Sequence, residues 1–348
     1  MEFVCYSDWT ALPESADALF DKASVDSVFF SRPWFENLVN TVLAENQKML
    51  LACAVDKDNV SAILPLLQDS DGQIAPLTHL YSSLYTLLLS DPEDEKTLQC
   101  LVNGLNQLPM TAFQFNPVAE QDPNIEQLKN ILQKQGYQLH ENFRFYNWIH
   151  RVKGETFAQY MADRPPRVRN TIARKQRKLA REHRYEIRLF INEDLNSDLD
   201  QALADYQRVY QASWKAKELF DGFIEGLVRA LAKQGWLRLA ILYIDDNPAA
   251  AQFWFVVHGK ASIFKLAYDE TWKQYSPGSI LIHYLMQYVI EVDQVDEIDF
   301  LTGNDAYKQD WMSERRQRKA VYFGKPHRDQ NHSVKIFSYL KKRLTKAL

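Results

Sequence analysis

Three side chains suited to proton transfer lie close together near residue 300. Asp299 belongs to an apolar run over residues 297–301 that is typical of a strand, and Asp305 and Tyr307 follow shortly after it. Catalytic groups of α/β folds gather where strands end, so a carboxylate here could accept a proton if burial raises its pKa, and a phenol could donate one. Equally, Asp299 could form a structural hydrogen bond, Asp305 could cap the following helix and Tyr307 could pack in the core.

A turn of sequence Tyr-Ser-Pro-Gly-Ser precedes a helix predicted over residues 279–292 and is a candidate anion site. Unpaired N–H groups and the positive end of the helix dipole meet at a helix N-terminus, and Gly278 would let a phosphate approach the backbone. Ser279 could cap the helix or donate its hydroxyl group. The same residue types also start helices that bind no ligand, so ordinary capping is the alternative.

Two further pairs of residues could contact a ligand. Lys265 and Tyr268 lie on a strand predicted over residues 262–268, where they would point toward a ligand or form the solvated face of a half-buried strand. Lys308 and Trp311 are three residues apart and therefore share a helix face. A cation beside an aromatic ring suits a carboxylate or phosphate on a sugar, although such pairs are also common on helix surfaces.

Basic residues are concentrated in one segment, although the formal net charge of the whole chain is −4. Residues 164–188, which we predict to form a basic helix, contain eight arginines and two lysines against two glutamates. Such a density attracts anions, namely the phosphates of a coenzyme, an acidic carrier protein, a nucleotide-sugar, lipid headgroups or RNA. The alternative is a solvated helix whose inner face would consist of Val168, Ile172, Lys175 and Leu179.

Several features bear on where the protein is found. Residues 331–348 are predicted to form an amphipathic helix that docks on its own domain or touches an anionic membrane surface. Three distant cysteines, Cys5, Cys53 and Cys100, indicate neither a disulfide framework nor a metal site. The first residues do not resemble a secretion signal, and no run reaches the ~20 apolar residues that a bilayer crossing needs. We therefore expect a cytoplasmic protein, peripheral to a membrane at most.

The order of predicted elements indicates two units. The chain of 348 residues is 46% hydrophobic and 13% aromatic, as in a packed globule. A single core rarely exceeds roughly 250–300 residues. Each half shows a helix, a meander of strands, a helix, a strand, a helix and a strand, and the first helix of the second half covers residues 199–217. The sequence therefore predicts an α/β fold, an α+β mixed sheet, in two similar domains over residues 1–155 and 156–348.

Five short motifs follow one another in the second half. They are Gln-Phe-Trp at 252–254, Lys-Leu-Ala-Tyr-Asp at 265–269, Ser-Pro-Gly-Ser-Ile-Leu at 276–281, Ile-Asp-Phe-Leu-Thr-Gly at 298–303 and Tyr-Lys-Gln-Asp-Trp at 307–311. In this order they resemble one branch of the GNAT superfamily, the CelD-like and FemAB-like acyltransferases associated with bacterial polysaccharide and envelope genes. The resemblance covers residues 167–318. What precedes them is similar only as a degenerate companion lobe, so the resemblance implies two tandem GNAT-like lobes.

The resemblance implies an acyltransferase that moves an acyl group from acetyl-CoA, another acyl-CoA or a carrier thioester to an amine or hydroxyl of an envelope or exopolysaccharide precursor. Tyr307 would protonate the leaving thiolate, Asp305 or Asp299 would take the proton of the nucleophile, and no metal would be needed. The pantetheine arm would lie where the strand at 262–268 splays from the strand at 297–301. The implied coenzyme contacts are Lys265, Leu266, Ser276, Gly278, Ser279 and Ile280, and the implied substrate contacts are Arg174, Trp254, Tyr268, Lys308 and Trp311.

Two other functions fit the same residues. Of the usual coenzyme motif, Gln/Arg-x-x-Gly-x-Gly/Ala, only Gly278 is present. A FemAB-like enzyme that takes an aminoacyl group from tRNA would suit the two lobes and the basic segment, although residues 199–233 leave little room for the pair of long helices that such enzymes often insert. A non-catalytic scaffold could instead bind an acidic carrier or a membrane through the basic segment and the C-terminal helix.

Overall fold

The computed structural model describes residues 1–110, 112–192, 196–220 and 222–325, without the side chains of residues 196 and 197. The chain folds into two compact units. Unit 1 contains residues 1–39, 43–144 and the C-terminal part from residue 318, and unit 2 contains residues 40–42 and 145–317. These bounds differ from the predicted boundary after residue 155. The predicted helix over residues 331–348 lies outside the described residues.

Helices and strands are interspersed along the whole described chain. The elements up to residue 151 are β1 (Glu2–Tyr6), α1 (Ser15–Ser24), α2 (Arg32–Thr41), β2 (Lys48–Asp56), β3 (Asn59–Gln68), β4 (Ile74–Pro76), β5 (Leu88–Leu89), α3 (Glu95–Leu105), β6 (Ala112–Ala119), α4 (Pro123–Lys134) and β7 (Gln138–Arg151). Those that follow are α5 (Phe157–Ala162), α6 (Pro166–Glu182), β8 (Tyr185–Phe190), α7 (Asn196–Gln211), α8 (Phe223–Lys233), β9 (Leu237–Ile244), β10 (Asn247–Val257), β11 (Lys260–Tyr268), α9 (Pro277–Glu291), β12 (Glu297–Thr302), α10 (Lys308–Trp311) and β13 (Glu314–Gly324). The predicted mixed α/β fold is therefore confirmed.

Unit 1 is organised around the antiparallel order β1-β2-β3-β4, with β5 also paired to β3. The middle residues of β2 and β3 are buried throughout, which explains their continuous apolar sequence. Helices α3 and α4 add Leu98, Leu101 and Leu128 to the same core. Strand β6 pairs antiparallel with residues 318–324 of β13.

Unit 2 contains the strand order β7-β12-β11-β10-β9-β8, in which β11 and β12 are parallel and the other neighbours antiparallel. Helix α9 contributes Leu281, Leu285 and Val289 to the buried core against this sheet. Helix α6 buries Ile172 and Leu179, two of its four predicted inward residues, whereas Val168 and Lys175 are only half-buried. The sheet and α9 are thus the rigid elements from which the candidate site residues extend.

Two predicted helices are longer than the real ones. The basic helix, expected over residues 164–188, spans only Pro166–Glu182. Two consecutive prolines fix its start, and the pairing of Tyr185–Phe190 with β9 takes the last residues, including Arg188, into the sheet. Helix α7 ends at Gln211 instead of residue 217, so residues 212–220 are irregular. That difference matters for the site.

Gly104 of α3 packs directly against the ring of Phe3 in unit 1. A Cβ at this position would lie 1.8 Å from Cγ of Phe3. We expect Gly104→Ala to lower the free energy of unfolding by about 2–3 kcal/mol, because α3 and β1 must separate to admit the methyl group. Chemical denaturation measures the loss. The double variant with Phe3→Ala should lose less than the sum of the two single variants, and strict additivity would contradict this account.

Candidate functional site

Asp299 is fully engaged at the end of β12. Its Oδ2 accepts a hydrogen bond from Arg316 Nη2 at 2.7 Å, and its Oδ1 accepts from Asn147 Nδ2 at 2.5 Å and from the backbone N–H of Leu301 at 2.6 Å. Arg316 also pairs with Glu297 at 3.0 Å. Asp299 is buried, so this network compensates the charge that burial would otherwise penalise. The geometry favours the structural alternative for Asp299 over the role of proton acceptor.

The predicted splay between two parallel strands is present. Strands β11 and β12 pair at only three positions, Lys260–Glu297, Ala261–Ile298 and Ser262–Asp299. Beyond them β12 turns away, and Leu301 adopts a left-handed backbone with φ of 49°. The hydrogen bond from Leu301 N–H to Asp299 holds this conformation. The remaining length of β11, up to Tyr268, therefore extends past its parallel partner, and the space between the diverging strands is called the groove.

Lys308 and Trp311 support the loop that follows β12 and are hidden from solvent. Lys308 is buried, and its Nζ donates to the carbonyl oxygens of Phe300 at 2.9 Å and Thr302 at 2.5 Å. Burial lowers the pKa of Lys308, and the carboxylates of Asp305 and Asp299 oppose that shift. The Trp311 side chain is also buried. Both side chains of the predicted cation–aromatic pair are therefore buried at the base of the loop and offer a ligand little surface.

Tyr307 and Asp305 are the acid–base candidates that solvent can reach. Tyr307 is 38% exposed, and its ring lies 6.0 Å from that of Phe300. Burial raises the pKa of Tyr307, and the carboxylate of Asp305 raises it further. Asp305 lies 3.6 Å from Lys308 Nζ and does not cap α10, which begins after Tyr307. Of the three predicted residues, Tyr307 is thus the one suited to hold a proton at neutral pH and release it locally.

The glycine turn is packed differently from an open phosphate cradle. Helix α9 begins at Pro277, after Ser276 in a left-handed conformation with φ of 53°. The N–H groups of Ser279 and Ile280 donate to the Ser276 carbonyl at 3.1 and 3.2 Å. A Cβ at Gly278 would lie 3.3 Å from Cδ1 of Tyr268, so the glycine accommodates that ring. Few backbone donors of the turn are left for a phosphate.

Several predicted contacts lie inside the core. Trp254 has no exposed surface, and its Nε1 donates to Gln252 at 2.8 Å. Gln252 donates in turn to the Gly278 carbonyl at 2.9 Å. Ile280 is also fully buried, and Leu266 is half-buried. Trp254 and Ile280 therefore support the glycine turn from the core, and their side chains have no exposed surface for a substrate or coenzyme.

The basic helix α6 lies beside the same turn. Lys175 donates to the backbone carbonyl of Gln274, and Lys178 donates to the side chain of Gln274 at 3.0 Å. Arg167 pairs with Asp310 at 2.5 Å. Arg174 is exposed, and within the described part of the chain it has no hydrogen-bond or ion-pair partner. Positive charge thus surrounds the glycine turn, although part of it is neutralised internally.

Four side chains that sequence reasoning missed line the groove from the other side. They lie at the end of α7 and in the irregular segment after it: Tyr210, Trp214, Lys215 and Glu218. Glu218 pairs with Lys265 Nζ at 2.7 Å, and the Trp214 ring lies 4.6 Å from that of Tyr268. Lys265 and Tyr268 therefore both contact this segment. The sequence signal was an aromatic–cation run, which the predicted helix over residues 199–217 obscured.

Lys215 lies at the centre of this cluster. Its Nζ is 5.9 Å from the ring of Tyr210 and 6.0 Å from the ring of Trp214. Burial lowers the pKa of Lys215 to about 8, and the charge of Lys265 acts in the same direction. The carboxylate of Asp305 raises that pKa, and the charge of Lys308 lowers it. The segment after α7, strand β11 and the loop after β12 thus share one electrostatic environment.

We expect Asp299→Asn to act on stability. The amide cannot compensate Arg316, so the free energy of unfolding should fall by about 2 kcal/mol, the typical value of a hydrogen bond to a charged group. Thermal unfolding at neutral pH measures this. Asp305→Asn is the matched control, and its melting temperature should stay near that of the parent because Asp305 is exposed. A variant Asp299→Asn of unchanged stability would overturn the structural assignment.

Comparison with known proteins locates a family within unit 2. Residues 166–309 match the family model described as an acetyltransferase (GNAT) domain. No match was found among curated protein sequences. Among the helices that the structure describes, none combines the length and apolar composition that a bilayer crossing requires.

Solved structures share the fold at low sequence identity. FemX aligns with a TM-score of 0.58 at 10% identity, over 92% of this chain and 97% of that chain. A protein of unknown function from Bacteroides thetaiotaomicron aligns with a TM-score of 0.52 at 12% identity, over 92% and 99%. The C-terminal domain of a putative lysylphosphatidylglycerol synthetase from Agrobacterium fabrum gives 0.50 at 11%, over 89% and 92%. Residues 166–309 of this chain are therefore similar to a GNAT acetyltransferase domain, and the chain shares its mixed α/β fold with FemX.

Proposed function

We propose that unit 2 transfers an acyl group from a thioester, acetyl-CoA or another acyl-CoA, to an amine or hydroxyl of an acceptor such as a glycan precursor. The observation that carries the proposal is the splay of β11 from β12, with Trp214 against Tyr268 at the end of β11 and Tyr307 on the loop after β12. An unpaired strand edge offers amides and carbonyls to an extended ligand such as a pantetheine arm.

The groove suits the pantetheine arm of coenzyme A, whereas the glycine turn is less well suited to the phosphates of coenzyme A. The backbone of Lys265 and Leu266 lies on the part of β11 beyond the three paired positions. At the glycine turn, Pro277 has no N–H, and Ser276 already accepts from Ser279 and Ile280. The counter-charge for phosphates would come mainly from α6, whose Arg174 is exposed.

Tyr307 is suited to protonate the leaving group. Because its pKa is raised by burial and by Asp305, it keeps its proton at neutral pH. A thiolate that leaves next to it could take that proton, which makes departure easier. The bound thioester would supply the activated acyl group, while the chain holds the donor along β11 and the acceptor against Trp214 and Tyr268.

A donor-binding experiment separates this function from a scaffold. Acetyl-CoA at ~100 times its dissociation constant should stabilise the protein by about 2.7 kcal/mol, visible as a higher melting temperature. Tyr307→Phe should keep that shift but lose at least ~100-fold in acetylation of amine acceptors such as glucosamine, followed by mass spectrometry. Tyr284→Phe, on α9, is the control and should retain activity. A parent protein without any thermal shift or product would refute the proposal.

A second candidate, aminoacyl transfer from tRNA, is favoured by the packed glycine turn. Tyr268 fills the position at Gly278 that a coenzyme phosphate would approach. This second function needs no phosphate cradle at that turn, and it would use the exposed cations of α6, among them Arg169 and Arg174.

Salt dependence tests the tRNA candidate. Bulk tRNA should bind in a gel shift at 50 mM salt and bind much more weakly at 200 mM, since phosphate contacts release counterions. If Arg169 and Arg174 each contact a phosphate, the double alanine variant should reduce the slope of log affinity against log salt by roughly 1.4–1.8. Absence of binding at low salt would exclude this candidate.

A further inference from the structure

Lys215 differs from the nearby lysines Lys265 and Lys308 in the groups that surround its ammonium group. Lys265 is paired with Glu218 at 2.7 Å, and Lys308 donates to two backbone carbonyls and lies 3.6 Å from Asp305. For Lys215, no carboxylate of the described chain lies within the 4.0 Å that defines an ion pair. Its Nζ is bordered instead by the rings of Tyr210 and Trp214.

The surroundings of Lys215 favour its neutral form. The charged groups that act on it are Lys265 from β11, Lys308 and Asp305 from the loop after β12, and Glu218 from its own segment. Burial is the largest influence on the pKa of Lys215, which is lowered to about 8. The charges of Lys265 and Lys308 also lower this pKa, whereas the carboxylates of Glu218 and Asp305 raise it. A substantial fraction of neutral amine is therefore present near physiological pH, unlike in an exposed lysine, whose pKa is about 10.4.

We propose that Lys215 is the catalytic base that takes the proton of the incoming nucleophile, beside the loop that carries Tyr307. The inference rests on the proposed acyl transfer and adds the identity of the base. The other candidates are already engaged, since both oxygens of Asp299 accept hydrogen bonds and Asp305 is exposed beside Lys308. Lys215 is thus the group of the cluster whose neutral form is accessible near physiological pH and that has no carboxylate of the described chain within ion-pair distance.

The step balances without any further reagent. The lone pair of the acceptor nitrogen attacks the carbonyl carbon of the thioester, so a C–N bond forms and the C–S bond breaks. The electrons of that bond go to sulfur, which takes the proton of Tyr307 Oη. Nζ of Lys215 takes the proton lost by nitrogen, and proton exchange with solvent returns Lys215 to the amine and Tyr307 to the phenol. For a hydroxyl acceptor, oxygen replaces nitrogen.

The first experiment needs no substrate. Trace labelling of the full-length protein with acetic anhydride from pH 6 to 11, read by peptide mass spectrometry, gives the titration of each lysine. Lys215 should reach half its maximal reactivity near pH 8. The neighbouring exposed Lys217 is labelled in the same experiment and serves as the internal reference. Equal midpoints for the two lysines would overturn the proposal, whatever the enzyme does.

The second experiment is the pH profile of acetyl transfer from acetyl-CoA to glucosamine. In the parent, kcat/KM should rise as pH increases through about 8, because the base acts only when neutral. Lys215→Arg keeps the charge but cannot deprotonate, so we expect a loss of at least ~100-fold and no rise at pH 8. Lys217→Arg is the matched control and should follow the parent.

The outcomes separate the two proposals. A parent that neither binds nor turns over thioesters refutes the proposed function, while the labelling result still decides the state of Lys215. An active Lys215→Arg variant with the parental pH profile refutes the base assignment and leaves the acyltransferase proposal standing. If Lys215→Arg lost activity but kept the parental pH profile, Lys215 would only support the structure. That result would also refute the base assignment.

Discussion

The carboxylate of Asp299 determines how the loop after β12 leaves the sheet. It accepts the N–H of Leu301, which allows a non-glycine residue to stay left-handed, and it compensates Arg316. A buried charge is tolerated only when its partners satisfy it, so Asn147 and Glu297 are part of the same network. Because β12 turns at this point, the edge of β11 remains open and a groove exists.

The same loop is fixed from below by buried donors. Lys308 satisfies the carbonyls of Phe300 and Thr302, which the end of strand pairing would leave without partners. The carbonyl of Trp311 accepts from Tyr160 at 2.7 Å and from Arg164 at 3.0 Å. With both ends held, Tyr307 is presented at the surface of a rigid loop. Such support is what a proton donor needs in order to keep its position during a reaction.

Sequence patterns predicted the positions of helices and strands better than the tertiary surroundings of those elements. Apolar runs identified β9 and β10, and the Pro-Gly turn identified the start of α9, because these features depend on local spacing. Strand β8 was missed since Glu186 and Arg188 alternate with apolar residues inside a basic run, and the pairing with β9 that decides its structure is not local.

Side-chain roles were harder to predict than positions. The motif that contains Trp254 was found, but its burial depends on how β10 packs under α9. No sequence motif indicated Lys215. Its lowered pKa depends on burial and on charges of β11 and of the loop after β12, which lie far away in sequence. Motifs therefore indicated a candidate region of the chain, whereas the division of its residues into buried and accessible ones required tertiary structure.

One physical cause accounts for the opposite behaviour of Lys215 and Tyr307. Withdrawal from water penalises whichever form of a group is charged, and that form is the protonated one for lysine and the deprotonated one for tyrosine. The same groove therefore lowers one pKa and raises the other. Two side chains of ordinarily similar pKa become a neutral amine and a neutral phenol at the same pH, which is the combination that can accept one proton and donate another. In the proposed mechanism a ligand along the open edge of β11 would lie where both could act, so strand geometry and proton chemistry would have a common origin in the turn at Asp299.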